Sequence, residues 1–358
     1  MRCQGSCMGA PDVLRVVVFS GCGHGVIAQT LAVHPRFEVV AVADDDAIPD
    51  QMHQRNKTMA RSLGVPYIRD VAAAIQRFQP HVACVSPETA RNADLSVRAA
   101  DAGLHIIQDK PMAASVEECD RIIAAVEQAE VRFSLWNRNT FPTIRHARRL
   151  LTAGTIGQPR AIHVDFYFAK DAGVLIDSGE SEDVPADWRG HGELTVEGIY
   201  PLAYIRYLLG VEVQRVFART TSHFFQKHAD RGLEDLATVT LELERGIVGS
   251  LCIGRIGRAS HPNLGELKLH ILGSGGAIVV SEPRPEVAVY ARGLKPADYR
   301  HRRIGVRYEH RLLDDFEHAI DTGGAAMLDA RDGRAIVATV SAALESGRTG
   351  QTVEVPAA

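Results

Sequence analysis

The stretch LRVVVFSGCGHGVIAQTLAVHPRFEVVAVADDD, residues 14–46, decides the fold. It begins with Leu14 to Phe19, a β-branched run typical of a buried strand, and continues into the glycine turn GCGHG at residues 21–25. A segment of helix length follows, and Phe37 to Ala43 forms a second apolar run. The pattern predicts a strand, a tight turn, a helix and a second strand.

The glycine turn has the composition of an anion site. Glycines let the backbone approach a pyrophosphate, and the helix that follows presents unpaired N–H groups and its positive end. Val26 stands at the sixth position of a G-x-G-x-x-G pattern, and a glycine comes one position early. The alternative is an ordinary strand-to-helix turn. The residues expected to contact a dinucleotide are Gly21, Gly23, His24, Gly25 and Val26.

Three aspartates follow the second apolar run. Asp44 lies about twenty residues beyond the turn, where a carboxylate can hold the two hydroxyls of an adenosine ribose. Its charge, with Asp45 and Asp46 beside it, repels a 2′-phosphate, so the sequence predicts NAD rather than NADP. The alternative is that these aspartates form a solvated loop.

Length and composition limit the class of protein. A chain of 358 residues is too long for one ordinary core, so two domains are expected. Hydrophobic residues make up 46% and charged residues 23%, as in soluble globular proteins, and the net charge of -4 argues against a nucleic-acid partner. No apolar run approaches the roughly 18 residues of a membrane span, so no membrane partner is expected.

Cysteines and histidines add two expectations. Six cysteines show no C-x-x-C pair, and the first ten residues show no signal-peptide pattern, so a reduced, cytoplasmic protein is expected. The histidines show no metal-ligand spacing, and hydride chemistry needs no metal, so none is expected.

Strands and helices alternate as far as residue 136. After a flexible tail at 1–11, six strands over 12–136 predict a doubly wound parallel sheet. Ligands of such sheets bind beyond the carboxyl ends of the strands, which points to two further loops. These loops add the candidate cofactor contacts Ser86, Pro87, Asn92, Asp109 and Lys110.

The pattern changes after residue 136. Val239, Leu241 and Leu243 alternate with polar residues, which is the period of a sheet with one buried face. Residues 137–358 are therefore predicted to form an α+β domain on a largely antiparallel sheet, with a long acidic loop at 171–187. The uncovered face of that sheet is expected to bind a second copy, giving a homodimer or homotetramer.

A series of motifs runs in order along nearly the whole chain: VLRVVVFSGCG, VVAVADDD, SPETARNADLSVRAADAGLHIIQDKP, NRNTFP, GELTVEGIYPLAYIRYLLG, LGSGGAIVV and DDFEHAIDTG. In these motifs the chain resembles the Gfo/Idh/MocA family of nicotinamide-dependent oxidoreductases, named for glucose-fructose oxidoreductase and inositol dehydrogenase. The resemblance implies a Rossmann domain that binds NAD or NADP. It also implies oxidation or reduction of a hydroxyl carbon of a sugar, cyclitol or related substrate at the interface of the two domains.

The resemblance also implies a catalytic pair. Lys110 matches the lysine of the family's E-K-P motif, with Asp109 replacing the glutamate, and Tyr200 matches the acid/base histidine, where some members have tyrosine. Three features depart from the family pattern, and one of them is a shorter first turn, which leaves the register of its glycines open. Val196 stands where many members have an aspartate, and Asn92 takes the place of the usual histidine.

The chemistry of alcohol oxidation suits this pair. A hydride must leave carbon while a base removes the hydroxyl proton. Lys110 can stabilise the developing alkoxide, and Tyr200 can pass the proton, because a lysine cation lowers the pKa of a tyrosine from its usual value near 10. The alternatives are an ordinary surface lysine and a tyrosine packed in the core.

Other polar residues are candidate substrate contacts. Glu193, Glu197 and Tyr200 share one stripe of a continuous helix, so either glutamate can supply the carboxylate that the valine lacks. Two acids that favour a helix amino end explain the spacing equally well. The remaining candidates are Arg138, Trp188 and His191.

Two classes of function remain open. The first is an NAD-dependent dehydrogenase or reductase of a polyhydroxylated substrate, or a variant that uses bound NAD transiently in glycoside cleavage. The second is a non-catalytic NAD-binding sensor like the Gal80-type regulators. Val196 and Asn92 favour the sensor, whereas retention of Lys110 and Tyr200 favours the enzyme.

Overall fold

The computed structural model describes residues 11–21, 23–168, 191–255, 265–282, 286–293, 295, 297–300 and 308–357. The predictions for most of the tail, for the acidic loop 171–187 and for Trp188 lie outside the described residues.

The strands are β1 (Leu14–Phe19), β2 (Phe37–Ala43), β3 (Tyr67–Ile68), β4 (Val82–Val85), β5 (His105–Gln108), β6 (Phe133–Leu135), β7 (Pro159–Phe168), β8 (Val213–Thr221), β9 (Leu236–Leu243), β10 (Ile247–Arg255), β11 (Gly265–Gly273), β12 (Gly276–Ser281), β13 (Glu286–Ala291), β14 (Ala297–Arg300) and β15 (Val353–Glu354). The α-helices are α1 (Gly25–Leu31), α2 (Asp50–Leu63), α3 (Val71–Phe78), α4 (Asn92–Asp101), α5 (Val116–Gln128), α6 (Pro142–Thr152), α7 (Glu193–Glu197), α8 (Ile199–Leu209), α9 (Gln226–Asp230), α10 (Tyr308–Thr322) and α11 (Ala330–Thr349).

The first sheet is the doubly wound parallel sheet that the sequence predicts. Its six strands lie in the order β3-β2-β1-β4-β5-β6, and every pair is parallel. The strand order reverses between β1 and β4, which is where ligands bind in sheets of this kind. The glycine turn follows β1 directly, so it lies at this switch point.

The second sheet is largely antiparallel, also as predicted. Its nine strands lie in the order β14-β13-β12-β11-β7-β10-β9-β8-β15, and β7 with β10 is the parallel pair among the described strands. Helices α6, α8 and α11 pack against one face. The side chains of β9 alternate between buried and exposed, so the other face is left open.

The chain divides into two compact units. The first comprises Met1–Asp109, Arg121–Trp136 and Glu309–Asp329, and the second comprises Lys110–Asp120, Asn137–Tyr308 and Ala330–Ala358. The first unit thus includes a segment from near the carboxyl end of the chain. The stacked rings of Phe37 and Phe316, 6.3 Å apart, help to hold it there. The predicted boundaries, 12–136 and 137–358, remain predictions.

Two local features differ from the sequence prediction. The residues that follow Asp46 are mostly polar and predict no helix, whereas α2 forms there and buries a partly polar face that includes His53 and Asn56. The continuous helix predicted for Glu193, Glu197 and Tyr200 is instead broken at Gly198 into α7 and α8. Proline has no N–H to continue the ladder, and Pro201 in the first turn of α8 explains the break. Among the described residues, no helix combines the length and hydropathy that crossing a bilayer requires.

Candidate active site

The two predicted catalytic residues meet within the second unit. The side chain of Lys110 is 1% exposed, and its Nζ donates to the backbone oxygen of Val196 at 2.8 Å. The same Nζ lies 5.5 Å from the ring centroid of Tyr200. The buried lysine therefore lies beside the buried tyrosine, and the catalytic role that the resemblance implies for the pair remains a prediction.

A second cation packs on the same tyrosine. The guanidinium carbon of Arg138 lies 4.1 Å from the ring centroid of Tyr200, and the ring of Phe166 lies 6.0 Å away. Cation–π attraction favours this position of the ring. The structure thus brings Arg138, a predicted substrate contact, to the candidate site.

Glu197 supplies a carboxylate where Val196 does not. Its Oε1 lies 3.5 Å from Nζ of Lys110, whereas Val196 contributes only its carbonyl oxygen. Glu193, one turn earlier, pairs instead with Nε of Arg255 at 2.5 Å. Of the two glutamates that the spacing offered, Glu197 is the one beside the lysine.

Arg255 is a residue of this cluster that the sequence did not reveal. It ends β10, is 2% exposed and lies between the two glutamates, with Nη2 3.7 Å from Oε1 of Glu197. Burial raises the pKa of Glu193, and the hydrogen bond from Arg255 opposes this rise. The only feature of the sequence that could have indicated this role is an arginine at the end of an apolar strand. Arginines at strand ends are also common at protein surfaces, so this feature is not specific.

His191 and Trp188 complete the predicted substrate contacts. His191 is partly buried; burial lowers its pKa, and its Nε2 has no hydrogen-bond partner among the described residues. Trp188 lies outside the described part of the chain.

In the first unit, the three predicted cofactor loops meet. The amide of Gly23 donates to the carbonyl oxygen of Ser86 at 2.8 Å, and the amide of His24 donates to Oδ2 of Asp109 at 2.8 Å. Ser86 Oγ donates to the same oxygen at 2.9 Å. A Cβ at position 23 would lie 2.5 Å from Asp109 Oδ2, so only glycine fits there.

The base of the glycine turn carries an orphaned polar group. Ser20, the last residue before the turn, is fully buried with φ of 62°, and its Oγ has no partner among the described residues. A strained serine with an unsatisfied hydroxyl at a switch point fits a bound polar ligand such as a dinucleotide. Gly21 and Gly25 belong to this turn and Val26 follows it, and their contacts with a dinucleotide remain predictions.

The carboxylate of Asp44, which follows β2, already accepts hydrogen bonds within the first unit. Arg91 donates through both terminal nitrogens to Asp44, at 2.8 and 3.0 Å, and Asn56 donates to it at 2.8 Å. Asn56 also accepts from the amide of Gly21 at 2.6 Å. That Asp44 holds a ribose stays a prediction, as do the roles of the other predicted cofactor contacts, including Asp45, Pro87 and Asn92.

One group of side chains in the first unit has metal-ligand character. Ligand atoms of His34, Asp314 and Glu317 lie within 4.8 Å of one another. Arg36 forms an ion pair with Glu317 at 3.1 Å, which a cation would have to displace. The expectation that no metal binds remains a prediction.

Two family models match consecutive parts of the chain. The model for the oxidoreductase family with an NAD-binding Rossmann fold matches residues 14–136, and that for the GFO/IDH/MocA C-terminal domain matches 144–279. The chain belongs to the Gfo/Idh/MocA family. It is therefore an oxidoreductase with a nicotinamide-dinucleotide-binding first domain, as the resemblance implied.

Relatives within this family are distant in sequence. The oxidoreductase YrbE of Bacillus subtilis is 24% identical, covering 91% of this chain and 92% of the relative. The myo-inositol 2-dehydrogenase of Thermotoga maritima is 25% identical, covering 68% and 69%. The structure of a levoglucosan dehydrogenase in complex with NADH is 22% identical, with a TM-score of 0.80, and covers 96% of this chain and 100% of the neighbour. This last likeness shows the shared fold.

Proposed function

We propose that this Gfo/Idh/MocA member is an NAD-dependent dehydrogenase or reductase that acts on a hydroxyl or carbonyl carbon of a sugar, cyclitol or related polyhydroxylated substrate. The buried cluster of Lys110, Tyr200 and Glu197 carries the proposal. Relatives named as inositol, levoglucosan and xylose dehydrogenases support the substrate class.

The cluster divides the proton chemistry between two side chains. Lys110, fixed by the carbonyl of Val196, hydrogen-bonds the reacting oxygen and stabilises alkoxide character there. Tyr200 accepts the hydroxyl proton as the phenolate, which the adjacent cation of Arg138 stabilises, and it becomes the neutral phenol. Glu197 balances the charge of the lysine and holds it in place. NAD, when bound, supplies the hydride acceptor.

The test is a turnover screen with matched variants. Wild-type protein is incubated with NAD and a panel of sugars and polyols, and NADH formation is followed. We expect turnover with at least one substrate, and losses of about 1,000-fold in kcat for Lys110→Ala and Tyr200→Phe, with NADH affinity little changed in Tyr200→Phe. Tyr207→Phe, on the same helix α8, is the control and should retain activity. Full activity of Lys110→Ala would contradict the proposal.

The same screen separates the alternative functions. NADH binding without turnover across the panel would favour a sensor like the Gal80-type regulators. The supporting observation is that residue 196 is a valine, which offers Lys110 its backbone carbonyl and no carboxylate. Cleavage of glycosides with no net NADH formation would favour the glycoside-processing variant.

We also propose that two or four copies associate through the open face of the second sheet. Phe217, Val248, Leu272 and Tyr290 are exposed apolar side chains on strands of that sheet. Contiguous exposed apolar surface marks interaction sites in soluble proteins. The free thiols of Cys84, Cys119 and Cys252 support the proposal of a reducing, cytoplasmic location.

A further inference from the structure

Each of the three aspartates that follow β2 is paired with an arginine. The pairs are Asp44 with Arg91, Asp45 with Arg98, and Asp46 with Arg69, at N–O distances of 2.8, 2.8 and 2.6 Å. Each of these carboxylates therefore has a cation beside it, although Glu88 shares Arg91 and Asp94 shares Arg98. The repulsion of a 2′-phosphate by the aspartates, on which the sequence argument for NAD depended, is reduced at short range.

Asp44 has no hydrogen-bonding capacity left for a ribose. Its Oδ1 accepts from Arg91 Nη1 and from the amide of Asp45, and its Oδ2 accepts from Arg91 Nη2 and Asn56 Nδ2. A carboxylate has about four acceptor sites, so all are filled. The side chain is 0% exposed, and Arg91 is held in turn by Glu88 at 3.1 Å. A bidentate, buried pair of this kind does not open easily.

The two outer pairs are different, because solvent reaches them. Asp45 and Arg98 are 37% and 34% exposed, and Asp46 and Arg69 are 77% and 48% exposed. The hydrogen bonds from Arg98 hold the pKa of Asp45 below its usual value, so this pair is ionic at neutral pH. Exposed ion pairs are weak, and a phosphate group offers an arginine the same bidentate geometry with more charge.

We propose that this enzyme does not exclude NADP, and that Arg98 and Arg69 bind the 2′-phosphate at the strand end while Arg91 keeps Asp44 from repelling it. The inference rests on the proposed function, because it requires a dinucleotide bound at the switch point of the first sheet. It extends the cofactor from NAD to both dinucleotides.

The first measurement compares the two reduced dinucleotides. Full-length protein is titrated separately with NADH and with NADPH, and the dissociation constants are obtained from calorimetry or nucleotide fluorescence. We expect the two constants to agree within about 10-fold, because an uncompensated carboxylate near the phosphate would by itself cost about that factor or more. NADPH binding that is weaker than NADH binding by more than this factor would overturn the inference.

Charge-removing variants then test the two exposed arginines. Arg98→Ala and Arg69→Ala should each weaken NADPH binding by about 10-fold, the loss of one charge-assisted contact, and leave NADH binding nearly unchanged. Arg121→Ala, which removes an exposed arginine of α5 in the same unit, is the matched control and should alter neither constant. An unchanged NADPH constant in both strand-end variants would overturn the assigned role of these arginines.

Arg91→Ala tests the part of the inference that concerns Asp44. The substitution leaves the carboxylate of Asp44 without its cation. The dissociation constant for NADPH should therefore rise by about 10-fold or more relative to that for NADH. Because the variant leaves a buried carboxylate without its cation, its folding is checked by thermal melting; if it does not fold, the Arg98 and Arg69 variants decide the question. Binding of neither dinucleotide to the wild type would overturn the proposed function itself, whereas NADH binding with exclusion of NADPH would overturn only this inference.

Discussion

Lys110 is held by two groups from the same short helix, α7. Its Nζ contacts the carbonyl oxygen of Val196 and lies near the carboxylate of Glu197. Many family members have an aspartate where this chain has Val196. In this chain the carboxylate near the lysine belongs to the next residue, Glu197, so the negative charge is present one position later.

This arrangement predicts the effect of removing that charge. Glu197→Gln should lower kcat by about 10-fold with little change in KM or NADH affinity, because it disturbs the position of Lys110 rather than the binding of substrate. Adding Val196→Asp to this variant returns a carboxylate to the family position and should recover part of kcat. Steady-state kinetics of both variants check the prediction, and a KM effect without a kcat effect would contradict it.

His105, at the start of β5, predicts acid sensitivity. Its Nδ1 accepts from the amide of Arg132 at 2.9 Å, and burial, followed by the charge of Arg132, lowers its pKa from 6.5 to about 4. The unfolded chain therefore binds a proton at higher pH than the folded chain does. The free energy of unfolding should be insensitive to this group above pH 6.5, and should fall toward pH 4 by at most about 3 kcal/mol.

His105→Asn isolates this contribution. Asparagine keeps an acceptor for the amide of Arg132 but does not titrate. Urea unfolding at pH 7.5 and 4.5 should show a smaller loss of stability in the variant than in the wild type. His223→Asn, an exposed histidine of the second unit, should retain the wild-type difference. Equal losses in His105→Asn and wild type would contradict the assignment.

At the scale of elements, the junction between α7 and α8 lies between two residues of the candidate site. Gly198 separates the helix that carries Glu197 from the helix that carries Tyr200. Its backbone lies against the preceding turn, and a Cβ would stand 2.2 Å from the carbonyl oxygen of Leu194. The glycine is required by close approach, because its φ of -60° is open to any residue.

Substitution at this glycine should affect stability and activity together. Gly198→Ala forces α7 and α8 apart, and we expect it to cost about 1–3 kcal/mol and to lower kcat. Gly324→Ala, whose Cβ would meet only Oγ1 of Thr322 at 3.2 Å, should cost less. Denaturant unfolding of the two variants is the measurement. A stable, fully active Gly198→Ala would contradict the steric argument.

For the whole molecule, the open face of the second sheet governs the proposed assembly. Val248 on β10 and Leu272 on β11 lie on the strands that flank β7, and both are exposed. Val248→Asp with Leu272→Asp should reduce the molar mass measured by light scattering to that of one chain, because buried carboxylates oppose association. Val33→Asp, an exposed valine of the first unit, should leave the mass unchanged. A wild type that is already monomeric would contradict the proposal.

Local pattern was sufficient for most elements of the fold. β1 and β2 have the bounds that the apolar runs predict, and Asp70 caps α3 by accepting from the amide of Ala73 at 3.0 Å. These features depend on neighbours within a few residues. Helix α2 is the element that the sequence did not predict. Its buried face is partly polar, so the helical period of its apolar residues is weak.

The resemblance to the family predicted Lys110 and Tyr200 as the catalytic pair, but only the tertiary structure shows what surrounds them. The choice of Glu197 over Glu193 followed from which carboxylate lies beside the lysine. Arg255 joins the cluster from a strand far along the chain. A charged residue at the end of a strand has no local pattern that names its partner.

The aspartates that follow β2 show most clearly which properties the sequence determines and which only the tertiary structure decides. The sequence by itself determined that a glycine turn and an acidic strand end lie at one edge of a parallel sheet, because both follow from local periodicity and strand order. It did not determine their charge balance, because Arg91 pairs with Asp44 across 47 positions of the chain and Arg98 pairs with Asp45 across 53. Electrostatic interaction depends on distance in space, and only the folded chain sets that distance.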